Sequence, residues 1–254
     1  GLQNVKLGVG LLFILGVWAY LALQSGSSEG DLFVVAAGVI GAYMALNIGA
    51  NDVANNVGPA VGSAALTMTG ALIIASVFEA GGAILAGSDV VSTIRKGIID
   101  PDGMADAATF TWAMMAALLS AAMWINLATW VGAPVSTTHS IVGGVMGAGI
   151  AAAGWTAVNW TTMAKIAASW VISPVLGGII AAGFLAVIKF MIVFQDDKIA
   201  AAKKWVPILV AIMAAAFSAY IVMKGLKHLW KPGGIAVGGI AVAAFIVSWY
   251  LVKV

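Results

Sequence analysis

Asn47-Ile-Gly-Ala-Asn-Asp-Val-Ala-Asn-Asn56, followed by Val57-Gly58-Pro59, interrupts two apolar runs, Leu32–Ile48 and Ala64–Ala86. It places one carboxylate and four asparagines within ten residues of otherwise water-averse chain. The flanking runs do not alternate polar with apolar, as barrel strands would. They are long enough to be helices crossing a hydrocarbon layer, which takes roughly 20 apolar residues. Working outward, the same reading applies to Leu7–Leu23, Phe110–Gly132, Ile166–Val193, Val206–Met223 and Ile235–Val252. Ile141–Ala153 is too short to cross alone and reads as a broken or re-entrant half helix. Ile166–Val193 contains Pro174 and Gly177-Gly178 and is expected to span with a kink and tilt. The fold class is therefore an all-α polytopic membrane protein with about seven to eight hydrophobic segments.

Composition agrees. Of 254 residues 62% are hydrophobic and 9% charged, against about 25% charged in a soluble domain. Mean hydropathy is +1.06. Soluble, disordered and collagen-like classes are excluded. The absence of cysteine removes disulfide scaffolds and thiol chemistry. A net charge of +2, with Lys and Arg scattered, excludes nucleic acid as a partner. The chain reads as one transmembrane domain over 1–254, with a motif-bearing region 47–153 and following helices 163–254. The Gln24–Asp31 loop lacks Lys and Arg and reads as external, which places Lys6 and the loop with Lys198, Lys203 and Lys204 in the cytoplasm. The Arg95-Lys96 loop and the loop with Lys224, Lys227 and Lys231 then fall outside, against the positive-inside tendency. Trp130, Trp155, Trp160, Trp205 and Trp230 near span ends suit an interfacial belt.

Four features carry chemistry. In the Asn47–Pro59 stretch, Gly49 lets the backbone leave the helix. Irregular backbone at membrane depth survives only inside protein or beside a wet cavity. Asp52, the asparagine amides and freed carbonyls are hard oxygen ligands for Na⁺, and the carboxylate can carry a proton. The alternative is a polar turn whose Asn and Asp cap the next helix. In Ala133-Pro-Val-Ser-Thr-Thr-His-Ser140, three hydroxyls precede the short segment. Hydroxyls and free N–H groups at a helix start bind anions, and they also cap helices without any ligand. His139 can carry a proton, or serve as a hydrogen-bonded structural residue. Glu79 lies inside an apolar run, on one helix face with Ser76; such carboxylates face a cavity or a partner. Ser92–Asp100, with Arg95 and Lys96, reads by itself as an interface anchor.

These stretches, GANDVANNVGPAVGSAALT (49–67), ASVFEAGGAILAG (75–87), STIRKGIID (92–100) and APVSTTHSIVGGVMGAGI (133–150), together resemble the bacterial branch of the PiT family of inorganic phosphate transporters. The resemblance runs from about Asn47 to Lys227 and takes in Lys224-Gly-Leu-Lys-His228. It implies a secondary symporter of inorganic phosphate in the bacterial inner membrane, built from two inverted repeats, coupled to Na⁺ or H⁺ and needing no cofactor. A homodimer is compatible with it. It implies that Asp52 and Asn55 sit at the cation and phosphate site, that Asn51 helps hold the cation, and that Ser136, Thr137 and Thr138 contact phosphate. Glu79 matches the glutamate linked to coupling. Asn56 stands where Ala or Ser is usual.

Only one copy of each motif occurs here, so the chain reads as a first repeat plus following helices. The second repeat is expected either beyond Val254 or on another polypeptide, the former being favoured. A sulfate permease on the same scaffold and a non-transporting membrane subunit are the alternatives. A metalloenzyme using Asp52, Glu79 and His139 lacks a clustered ligand motif, and no enzymatic activity is expected.

Overall fold

The computed structural model describes residues 2–26, 29–226 and 230–253. The order is α1 (Leu2–Gln24), α2 (Glu29–Gly62), α3 (Met68–Lys96), α4 (Ala107–Trp130), α5 (Thr137–Ala153), α6 (Trp160–Ile188), α7 (Lys198–Tyr220) and α8 (Gly234–Lys253). Single π-helical turns extend α6 over Lys189–Val193 and α7 over Ile221–Gly225. Seven of these helices are long and apolar enough to cross a membrane. The eighth, α5, has 17 residues and starts with the hydroxyl run itself. The segment expected at Ile141 therefore begins a full turn earlier. Lys227 and His228, part of the late motif, lie outside the described residues.

One expectation is corrected. The chain does not leave the helix at Gly49: α2 runs unbroken for 34 residues through the whole polar stretch, including Pro59. Asn and Asp cost at most about 0.7 kcal/mol each in a helix. That is less than the hydrogen bonds Asn47 and Asn51 make from helical positions to α4, at about 1 kcal/mol apiece. The break comes later, where Ala64 adopts φ 58° and Ala65 and Leu66 return their N–H groups to the Ala60 carbonyl. Alanine in this left-handed region is strained by roughly 1–2 kcal/mol. Ala64→Gly is accordingly expected to stabilise the fold by about 1 kcal/mol. Thermal unfolding in detergent checks this; an unchanged or lower midpoint would contradict it.

Side-chain caps start most later helices. Thr67 accepts from Gly70 N at 3.2 Å, Asp106 from Thr109 N at 2.6 Å, Asn159 from Thr162 N at 2.9 Å and Asp197 from Ala200 N at 2.9 Å. The Thr109 backbone N–H holds the Asp106 carboxyl below the usual carboxylate range.

The chain divides into two compact units. The first comprises residues 1–79 and 92–163. Its core is Met44 of α2 with Ala121, Ala122 and Ile125 of α4, closed over by Tyr43, Ile48, Leu118, Val135 and Ile141. Helices α4 and α5 approach closely because their facing residues are small. A Cβ on Gly144 would lie 2.7 Å from the Ala117 carbonyl oxygen, and one on Gly149 would collide with Ile99. Ile98 and Ile99 are fully buried. The backbone there is pinned by Asp100 N to Ala157 O at 2.9 Å and Asn159 N to Ile98 O at 2.8 Å. Trp160 stacks on Trp155 with ring centroids 5.7 Å apart. The second unit comprises residues 80–91 and 164–254, with α7 packed on α8. No residue of α6 or α8 is buried.

Candidate functional site

The site is built on one stripe of α2. Asn47 and Asn51 stand four residues apart and so share a face, and both are buried, at 5% and 6% exposure. That face meets α4 and the turn that follows it. Asn126 Nδ2 donates to Asn47 Oδ1 at 2.8 Å, and Asn47 Nδ2 donates to the Tyr43 carbonyl at 2.8 Å. Asn51 Nδ2 donates to Thr129 Oγ1 at 3.0 Å and to the Ala133 carbonyl at 3.1 Å. Asn51 Oδ1 accepts from Val135 N at 3.2 Å. Thr129 in turn donates to the Ile125 carbonyl at 2.8 Å. Among the described residues, no buried side-chain nitrogen or oxygen is left without a partner.

The next residue along α2 reaches α5. Thr137 Oγ1 donates to Asp52 Oδ2 at 2.6 Å, across 85 residues of chain. Both are half-buried. This bond joins the two polar motifs that the sequence shows as separate stretches. At the same helix start, Ser136 caps α5: its Oγ accepts from His139 N at 3.2 Å. Ser140 N and Ser140 Oγ both return to the Ser136 carbonyl, at 3.1 and 2.8 Å. The N–H groups of Thr137 and Thr138 remain as orphan donors of the first turn, at the positive end of the helix dipole. Asn55, Ser136, Thr138 and His139 are exposed around this point. Pro59 has no N–H, so the Asn55 carbonyl lacks its usual helical donor. An unpaired carboxylate oxygen, free N–H groups and hydroxyls thus lie together, a set able to hold a hard cation and an oxyanion side by side.

Glu79 stands apart from the Asp52–Thr137 contact. It is exposed and shares with Asn56 a cleft of about 350 Å³ between α2 and α3, otherwise lined mostly by apolar side chains such as Ile74 and Phe78. Ser76, on the Glu79 face as i, i+3 spacing requires, donates to the Leu72 carbonyl of its own helix at 2.8 Å. Asn126 and Thr129 were not singled out in the sequence. Their signal was present, since polar residues three apart inside an apolar helix seldom lack a partner.

A model of the family described as "Phosphate transporter family" matches residues 48–248. A Helicobacter pylori protein named "Putative phosphate permease" is 54% identical over 233 residues, covering 91% of this chain and 43% of its own. A Pyrococcus horikoshii protein of the same description is 38% identical over 226 residues, covering 88% of this chain and 56% of its own. Among solved structures, "The sodium-dependent phosphate transporter" superposes with a TM-score of 0.81 at 36% identity, over 87% of this chain and 54% of that one. The chain thus spans about half the length of these relatives. With the family match over most of its length, and with seven helices fit to cross a membrane, this multi-pass membrane protein belongs to the phosphate transporter family.

Proposed function

We propose that the protein carries inorganic phosphate across the membrane together with Na⁺, by alternating access. The observation that carries this reading is the Thr137–Asp52 hydrogen bond, because it unites an oxygen-rich cation site with a helix N-terminus suited to an oxyanion. The solved relative's description as sodium-dependent favours Na⁺ over H⁺. Asp52, with Asn55, supplies negative charge and oxygens to the cation. The Thr137 and Thr138 N–H groups and the Ser136–Thr138 hydroxyls take the phosphate.

The bond also supplies a route to coupling. With the cation site empty, the Thr137 hydroxyl proton is held by Asp52. A cation on Asp52 competes for that oxygen and frees the hydroxyl to donate to phosphate. Each ligand then favours the other, and the two effects are equal by linkage. A cation beside the phosphate also lowers the desolvation penalty of both. A second, inverted repeat completes the site in this reading, and the two move against each other around it. The setting is a bacterial inner membrane with the N-terminus on the cytoplasmic side.

The test is radiolabelled phosphate uptake into proteoliposomes holding the complete natural protein. Uptake is expected to accelerate under an inward Na⁺ gradient and to persist in excess sulfate. Uptake indifferent to Na⁺, or abolished by sulfate, would overturn the reading. Glu79→Gln is expected to keep the fold and to impair coupled uptake, because a neutral amide keeps the shape and hydrogen-bonding capacity of the side chain but carries neither charge nor proton. Wild-type uptake and Na⁺ dependence in that variant would make Glu79 a structural residue.

A further inference from the structure

We infer that Asn51 is a positioning residue: its carboxamide clamps the turn between α4 and α5 to α2, and thereby holds Thr137 against Asp52. The inference deepens the proposed function and rests on it. The three bonds of Asn51 grip three different points of the turn: Thr129 near the end of α4, then the Ala133 carbonyl, then the Val135 amide. Between the first two lies Gly132 at φ 72°, and between the last two lies Pro134. The clamp therefore spans the part of the turn where the chain reverses. Both amide protons and an acceptor position are used in these bonds, and the side chain is 6% exposed. The three bonds of Asn51 thus all go to α4 and the turn. The residue acts through the turn.

The chemistry on either side of the clamp is adjacent in sequence. Asp52 follows Asn51 on α2, and Thr137 follows Val135 by way of the capping Ser136. The Asn51–Val135 and Asp52–Thr137 bonds are consecutive links between the same two segments. A turn released from Asn51 carries the start of α5 with it, and the Thr137 hydroxyl with that. Asn47 supplies an internal comparison. It is equally buried and also amide-bonded to α4, but its partner Asn126 lies one turn back inside the helix and nothing links it to the reversal.

The experiment is a phosphate-binding cycle on the complete natural protein in detergent at saturating Na⁺, corrected for the folded fraction. It compares wild type, Asn51→Ala, Thr137→Ala and the double variant, with Asn47→Ala as the buried-amide control. Asn51→Ala is expected to weaken phosphate binding about tenfold, since small misplacements of a binding group are costly. Asn47→Ala should change it less than about threefold, close to the scatter of uncoupled effects, because the bonds of Asn47 go to Tyr43 and Asn126 and none to the turn. In the Thr137→Ala background, loss of Asn51 should add little, because the contact it positions is already gone. If the two losses simply multiply, or if Asn47→Ala matches Asn51→Ala, the clamp does not act through Thr137 and the inference is overturned while the proposed function stands. If Thr137→Ala itself leaves phosphate affinity unchanged, the substrate site is misplaced and both fall. Should Asn51→Ala fail to fold, Thr129→Val removes a single clamp partner. It is then expected to give a smaller weakening, again absorbed by Thr137→Ala, and no weakening would overturn the inference.

Discussion

Asp52→Asn is expected to abolish Na⁺-driven phosphate uptake while the protein still folds and inserts. The substitution is nearly isosteric, and its amide oxygen can still accept from Thr137. What it removes is the charge. Two unit charges 4 Å apart attract by about 4 kcal/mol at an effective dielectric of about 20. That corresponds to roughly a thousandfold in cation affinity, at about 1.4 kcal/mol per tenfold. Asp52 is half-buried, so water screens part of this attraction and the figure is an upper bound. Uptake should become insensitive to Na⁺ and fall to the background of empty liposomes. Retained Na⁺-dependent uptake would sink the assignment of the cation site.

Ser136 and Thr137 at the start of α5 have different structural bonds beside the phosphate contact proposed for both. Ser136 caps the helix through His139 N, so Ser136→Ala should cost about 0.5–2 kcal/mol of stability. Thr137 makes no cap; it donates to Asp52. Thr137→Ala removes that bond and should weaken phosphate binding. A lost hydrogen bond to a charged group costs roughly 1.5–3 kcal/mol, or some ten- to over a hundredfold in affinity. Equilibrium binding of radiolabelled phosphate, corrected for folded protein, checks this. An affinity within about threefold of wild type, less than the smallest expected loss, would show that the run only builds the helix start.

The helices were legible because lipid imposes a simple rule. Every backbone group must be bonded within its own segment, so apolar length translates directly into helix. Leu7–Leu23 and Ile235–Val252 fall within α1 and α8 on that basis. The rule gave the wrong break in α2, where polarity was read as irregular backbone. Asn47 and Asn51 stay helical because their partners, Asn126, Thr129 and the turn at Ala133–Val135, come from a helix about 80 residues further on. Sequence spacing along α2 cannot show such a neighbour. For the same reason the two motifs could be recognised singly, but their meeting at Asp52 and Thr137 could not be derived from either. The hydroxyl run was read correctly as a helix start, since Ser-Thr-Thr before an apolar stretch carries its own capping signal.

In the proposed mechanism Asp52 and Thr137 make one site at which cation and phosphate assist each other. The most direct measurement is phosphate affinity of the complete natural protein as Na⁺ is raised, paired with Na⁺ affinity as phosphate is raised. Each ligand should tighten the other by the same factor, about 5- to 150-fold as is usual for coupled sites. In Thr137→Ala this factor should fall, leaving only the part that comes from the proximity of the two ligands. Phosphate binding that ignores Na⁺ in the wild type, or a coupling factor undiminished in Thr137→Ala, would contradict this.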